Sequence, residues 1–98
     1  MAVKLWIDDI RTCPEGWVWA KDSFAAICHV KKLMLKNHRF EAVSFDHDLG
    51  DDDTTRPVVL WMAEHEFWPE KVYVHTANPV GREFLEGIIN HYGPGVSR

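Results

Sequence analysis

Glu41-Ala-Val-Ser-Phe-Asp46-His47-Asp48-Leu-Gly50 is an apolar run that stops abruptly at three ionisable side chains and a glycine. A strand buried on both faces reads as a continuous apolar run. A polar stop of this kind marks the point where such a strand ends at an active-site rim. Two other segments stop the same way: Val3-Lys-Leu-Trp-Ile-Asp8-Asp9 and Val72-Tyr-Val-His75-Thr76-Ala-Asn78-Pro79. In an open parallel sheet all three tips lie on one edge, where ligands of such sheets bind. Four carboxylates and two imidazoles, scattered along the chain, then converge in space.

The segments between these strands supply the crossovers. Residues 11–16 form a loop punctuated by Pro14 and Gly16, and Trp17-Val-Trp19-Ala20 is a short edge strand. Asp22 or Ser23 caps a helix in which Phe24, Ile27, Cys28, Met34 and Leu35 keep helical spacing, widened by Val30 and Leu33; Asn37 stops it. After the strand at 42–46 comes a polar loop, 50–55. Pro57 suits a first helical turn, and Val59, Met62, Ala63 and Phe67 mark a buried face that ends at Trp68-Pro69. The strand at 71–75 leads into Asn78-Pro79, a cap and first-turn proline. Phe84, Leu85, Ile88, Ile89 and Tyr92 form the last helical face, ended by Gly93 and Pro94, with a frayed tail beyond. Strand–helix alternation implies parallel strands and right-handed crossovers. The expected fold is a single α/β domain over residues 1–98, three-layered, with strand order 2-1-3-4.

Composition narrows the function classes. The 98 residues are 46% hydrophobic with five Trp, enough for a core without staples. Two cysteines, Cys13 and Cys28, are too few for a disulfide framework or a zinc ribbon and read as reduced thiols. No signal-peptide pattern and no apolar run of membrane length is present, so a cytoplasmic location without membrane association is expected. A net charge of −4 argues against binding duplex DNA through a basic face. Lys31, Lys32, Lys36 and Arg39 read as a solvated helix face. Trp17, Trp19, Trp61 and Trp68 either belong to the core, the favoured reading, or form an exposed patch for a protein partner.

The strand tips carry the chemistry. Asp8, Asp9, Asp46 and Asp48 repel one another when they converge, and a bound cation removes that penalty. All-oxygen ligands favour Mg²⁺ or Mn²⁺; His47 or His75 as a further ligand shifts the preference toward Mn²⁺ or Zn²⁺. Asp46-x-Asp48-x-Gly50 is similar to part of a calcium loop but lacks the closing Glu, and Asp51, Asp52 and Asp53 read as solvated. His29, His38, His65 and His91 read as structural or surface residues. His47 and His75, each at a strand tip beside other polar groups, are the candidates for general acid and base. The run from His75 through Thr76, Asn78, Gly81 and Arg82 passes from a strand into a helix start, which suits a phosphate; Gly81 permits close approach and Arg82 a bidentate contact. Arg11 is a second phosphate candidate. The structural alternatives are Asn78 as an ordinary cap and Arg82 paired with Glu86 one turn on. Acids, imidazoles and arginines together point to phosphoester chemistry.

These residues also carry a family resemblance. Asp8-Asp9, the segment from Trp17 to Val30, and Asp46 resemble the receiver domain of response regulators, a flavodoxin-like fold. Here a loop replaces the helix between the first two strands, and no fifth strand with its lysine is visible. Leu5-Trp-Ile-Asp8-Asp9-Ile-Arg11, Pro14-Glu-Gly16-Trp17, Ser44-Phe-Asp46-His47-Asp48-Leu-Gly50 and His75-Thr-Ala-Asn78-Pro79-Val-Gly81 more closely resemble the compact receiver-like family of cyclic-phosphate-processing receiver domains. The resemblance spans nearly the whole chain. It implies a receiver-like fold and a metal-assisted phosphoesterase that opens cyclic phosphates on nucleotides or RNA ends, of a kind found in bacteria and their phages. In that reading His47, His75 and Asp46 are catalytic, Asp8, Asp9, Asp46 and Asp48 hold the metal, and Arg11, Thr76, Asn78, Gly81 and Arg82 hold the phosphate. The alternatives are a regulatory module that accepts phosphate on Asp46, and a non-enzymatic binding module.

Overall fold

The computed structural model describes residues 2–97. Its elements are β1 Ala2–Ile7, β2 Val18–Ala20, α1 Ser23–Leu35, β3 Arg39–Phe45, α2 Arg56–Glu64, β4 Lys71–Val74 and α3 Pro79–Tyr92. The strands form one parallel sheet in the expected order β2-β1-β3-β4. Register sets Ile7 beside Ala20 and Phe45, and Phe45 beside Val74. The ladder then runs one residue past the strands. Asp8 N donates to Ala20 O (3.1 Å), Asp46 N to Ile7 O (2.9 Å) and His75 N to Phe45 O (2.9 Å). Backbone pairing alone therefore brings Asp8, Asp46 and His75 level on one rim.

Handedness decides where the helices go. The crossovers from β2 to β3 and from β3 to β4 run in the same direction across the sheet, so right-handed connections place α1 and α2 on one face. α3 follows β4 and packs beside α2. A single core results, in which Leu5, Ile7, Val43, Phe45 and Val72 meet Ala26 and Val30 of α1, Val58, Val59 and Met62 of α2, and Leu85 and Ile89 of α3. The β1–β2 crossover runs the other way, and it is the loop 8–17. Of the three expected layers, the second helical one is absent among the described residues, and largely aromatic side chains cover that face. Trp19, Trp6, Ser44 and Tyr73 share one row on that face. Trp17 folds over them, edge-on to Trp6 (6.0 Å, 81°) and to Tyr73 (6.4 Å, 62°).

Helix ends follow the expected chemistry. Asp22 caps α1 by accepting from Ala25 N (2.7 Å), and Asn78 caps α3 by accepting from Gly81 N (3.0 Å). Asp53 departs from its solvated reading: its carboxylate accepts from Ser23 N (2.8 Å) and Ser23 Oγ (2.6 Å), tying the polar loop to the start of α1. Three residues assigned to apolar helix faces are instead exposed: Phe24 (78%), Leu35 (79%) and Tyr92 (60%). The stripe that α1 buries is Ala26, Val30 and Leu33, on the side of the helix opposite Phe24 and Leu35. Trp61 and Trp68 pack half-buried against the core. The tail is anchored rather than frayed. Val96 bridges Val72 in parallel, Ser97 N donates to Val72 O (2.7 Å) and Val72 N donates to Ser97 Oγ (3.2 Å), covering part of the β4 edge. Among the described residues no helix is long and apolar enough to cross a membrane.

Candidate active site

Asp8 is fully buried, and a buried carboxylate needs hydrogen bonds to stay ionised. Its Oδ1 accepts from the amides of Ile10 (2.8 Å) and Arg11 (2.9 Å), and its Oδ2 meets His75 Nε2 at 2.9 Å. Burial pushes the Asp8 pKa up, but the two amides and the His75 ring outweigh it and hold the carboxyl below its ordinary range. The amide contribution does not depend on the charge of His75. Burial, with Arg11 nearby, pushes His75 below its ordinary value, against the pull of Asp8 and Asp46.

The ring of His75 is clamped from three sides. Ser44 Oγ lies 2.6 Å from Nδ1, Nε2 faces Asp8, and Trp6 stacks on the imidazole at 4.0 Å between centroids and 4° between planes. With Asp8 ionised and the imidazole neutral, Nε2–H donates to Asp8 and Nδ1 accepts from the Ser44 hydroxyl. The Arg11 guanidinium donates to the His75 carbonyl, which folds the β1–β2 loop against the β4 tip. Asp46 Oδ1 accepts from His47 N (2.8 Å). Asp8, Asp46 and His75 each offer a ligand atom, all within 4.8 Å of one another. Two carboxylate oxygens and one imidazole nitrogen at that spacing are a donor set that could hold a metal ion.

A cavity of about 410 Å³ opens over this rim. Asp8, Asp9, Asp46 and Asp48 line it together with Arg11, Thr76 and Asn78, so seven of the expected site residues share one pocket. Gly50 lines it too, with a left-handed φ of 82°, and a Cβ there would fall 3.0 Å from Asp9 Oδ2. Asp48 accepts from Asn78 Nδ2 (3.0 Å) and meets His47 Nδ1 (3.0 Å). Asn78 first and then His47 hold its pKa below the ordinary carboxylate value.

His75 lies beside the cavity rather than in its lining, and His47, Gly81 and Arg82 do not line it either. His47 is buried, and its Nε2 accepts from Arg56 Nε at 2.9 Å. An accepting Nε2 places the ring proton on Nδ1, which donates to Asp48. Its ring fills the space above Gly81, whose own amide is taken by the Asn78 cap. Arg82 donates to Thr76 O (3.0 Å) and to Glu86 (3.1 Å), the pairing one turn on. Three residues that reading the strand tips did not single out support the site: Ser44 and Trp6, which hold His75, and Arg56, which holds His47. Ser44 did leave a signal, as the one hydroxyl in the apolar run 42–45.

A family model described as the cyclic-phosphate processing receiver domain matches residues 3–91. The chain belongs to this family. Comparisons with curated proteins and with solved structures gave no match. The strand order is that of a receiver-like α/β fold, carried here by a domain in which a loop replaces the first crossover helix.

Proposed function

We propose that the cavity is the catalytic centre of a metal-assisted phosphoesterase acting on cyclic phosphates of nucleotides or RNA ends. The observation that carries this reading is the meeting of Asp8, Asp46 and His75 within 4.8 Å, in and beside a cavity that Arg11, Thr76 and Asn78 also line. Asp8, Asp46 and His75 hold the cation, and the imidazole in the set moves the preference from Mg²⁺ toward Mn²⁺ or Zn²⁺. When bound, such an ion supplies Lewis acidity toward a phosphoryl oxygen and offsets the repulsion of the clustered acids. Arg11 provides positive charge for the phosphate, and Thr76 and Asn78 provide polar contacts. Asp9 has no hydrogen-bond partner among the described residues, whereas Asp48 is committed to Asn78 and His47. In this proposal Asp9, free to accept and lining the cavity, takes a proton from the attacking water. That water's oxygen bonds to phosphorus, one ring P–O bond breaks, and the departing oxygen takes up a proton. His47 positions Asp48 and the start of α3, and Gly81 and Arg82 support that helix start. The test is hydrolysis of 2′,3′- and 3′,5′-cyclic nucleotides and of RNA bearing a terminal cyclic phosphate, after metal removal and readdition of Mn²⁺, Zn²⁺ or Mg²⁺. Metal-dependent ring opening that is lost in Asp46→Asn is expected. Intact substrates under every metal would end the proposal.

A further inference from the structure

We infer that Ser44 is a positioning residue for the cation site, acting through His75: its hydroxyl holds the imidazole in place and exchanges donor for acceptor at Nδ1, freeing Nε2 for a metal ion. This rests on the reading of Asp8, Asp46 and His75 as a cation site. Ser44 lies in the middle of β3 and is only 3% exposed, beneath the aromatic side chains of the helix-free sheet face. A buried hydroxyl is costly unless it is hydrogen-bonded, and this one meets His75 Nδ1 at 2.6 Å. Trp6 stacks on the same ring at 4.0 Å, so the imidazole is held in plane with Nε2 directed at Asp8.

Without metal, Nε2–H donates to Asp8 and the serine O–H donates to Nδ1. A cation needs the Nε2 lone pair, so the ring must carry its proton at Nδ1 instead. One proton leaves Nε2 for water and one arrives at Nδ1 from water; the ring stays neutral and the hydroxyl keeps its own proton. A hydroxyl serves both states because it donates and accepts. A carbonyl or carboxylate in its place would accept only, and would hold Nδ1–H permanently. A hydrogen-bond partner behind a ligating histidine fixes the ring's orientation and raises its basicity toward the metal, and the hydroxyl does so without locking one tautomer.

The experiment is long-range ¹H–¹⁵N NMR of ¹⁵N-histidine-labelled protein without metal and with Zn²⁺, together with zinc affinity from chelator competition. Wild type should show the Nε2–H form of His75 without zinc and the Nδ1–H form with it. Ser44→Ala should remain folded and bind zinc about 10- to 100-fold more weakly. Val43→Ala, which truncates the core face of the same strand, should lower the melting temperature yet leave zinc affinity near wild type. Ser44→Ala binding zinc as tightly as wild type overturns the inference. So does an equal loss in Val43→Ala, a His75 tautomer unchanged by zinc, or a wild type that binds no zinc. Zinc binding with tautomer exchange but no hydrolysis of any cyclic phosphate would refute the phosphoesterase alone and leave the role of Ser44 supported.

Discussion

Replacing Gly81 by alanine drives a methyl group into His47. The new Cβ would lie 2.3 Å from His47 Cγ and 2.7 Å from its Cβ and Cδ2, where ordinary contact begins at 3.4 Å. The ring cannot drift aside freely, because Arg56 bonds Nε2 at 2.9 Å and Asp48 meets Nδ1 at 3.0 Å. Forcing extra volume into a filled site costs about 1–3 kcal/mol. Swinging the ring away instead breaks two hydrogen bonds of about 1 kcal/mol each. Alanine contributes at most about 1 kcal/mol of helix propensity in the other direction. The net loss is about 1–2 kcal/mol, a fall in melting temperature of roughly 4–16 °C for a domain of this size. Gly87 supplies the internal control. It lies in the same helix, and a Cβ there meets nothing within 4 Å, so Gly87→Ala should stabilise by about 0.5–1 kcal/mol. Thermal melts and urea titrations followed by circular dichroism measure both. A Gly81→Ala protein that melts at or above wild type, or a Gly87→Ala protein that falls with it, would refute the packing argument.

Asp46→Asn removes one of two neighbouring negative charges, so without metal it should raise stability by about 1 kcal/mol, while the rise in melting temperature on adding Mn²⁺ or Zn²⁺ disappears in a thermal-shift assay. Burial, and then Lys32, holds His29 below the ordinary histidine value of 6.5, and burial does the same to His75. Below 6.5 the unfolded chain therefore binds more protons than the folded one. Metal-free stability should be full above that pH and decline as pH falls through the folded values; urea midpoints at about pH 7.5 and about pH 5.5 measure the decline, and His29→Gln should flatten part of it. Deleting the chain from Pro94 onward removes both hydrogen bonds to Val72, at a cost of about 1–2 kcal/mol in urea titrations, and uncovers the β4 edge, which should appear as self-association in light scattering.

Much of the site was legible because a parallel sheet turns sequence into position. Asp8, Asp46 and His75 each follow an apolar run directly, and register alone then sets them side by side. The grouping of ligand atoms was less legible. Asp9 and Asp48 share the cavity, but His75 rather than either of them completes the tight cluster, because its ring is drawn between Ser44 and Asp8. Trp6 gave no signal, since a mid-strand tryptophan reads the same whether it packs in a core or stacks on an imidazole. The place of His47 depends on how closely α3 approaches at Gly81, a tertiary distance that no local pattern encodes. Phe24 and Leu35 were misplaced for a related reason: helical spacing identifies apolar residues around α1, while the sheet selects the stripe of Ala26, Val30 and Leu33.

The docking of Val96 and Ser97 beside Val72 bears on how the protein should be handled at the bench. That pairing is parallel to β4, so Val96 and Ser97 run along the sheet margin in the direction of the rim that carries His75. Ala2, in contrast, opens β1 at the far end of the sheet. A polyhistidine handle belongs on the amino end, where its imidazoles sit away from the acids whose metal affinity is to be measured.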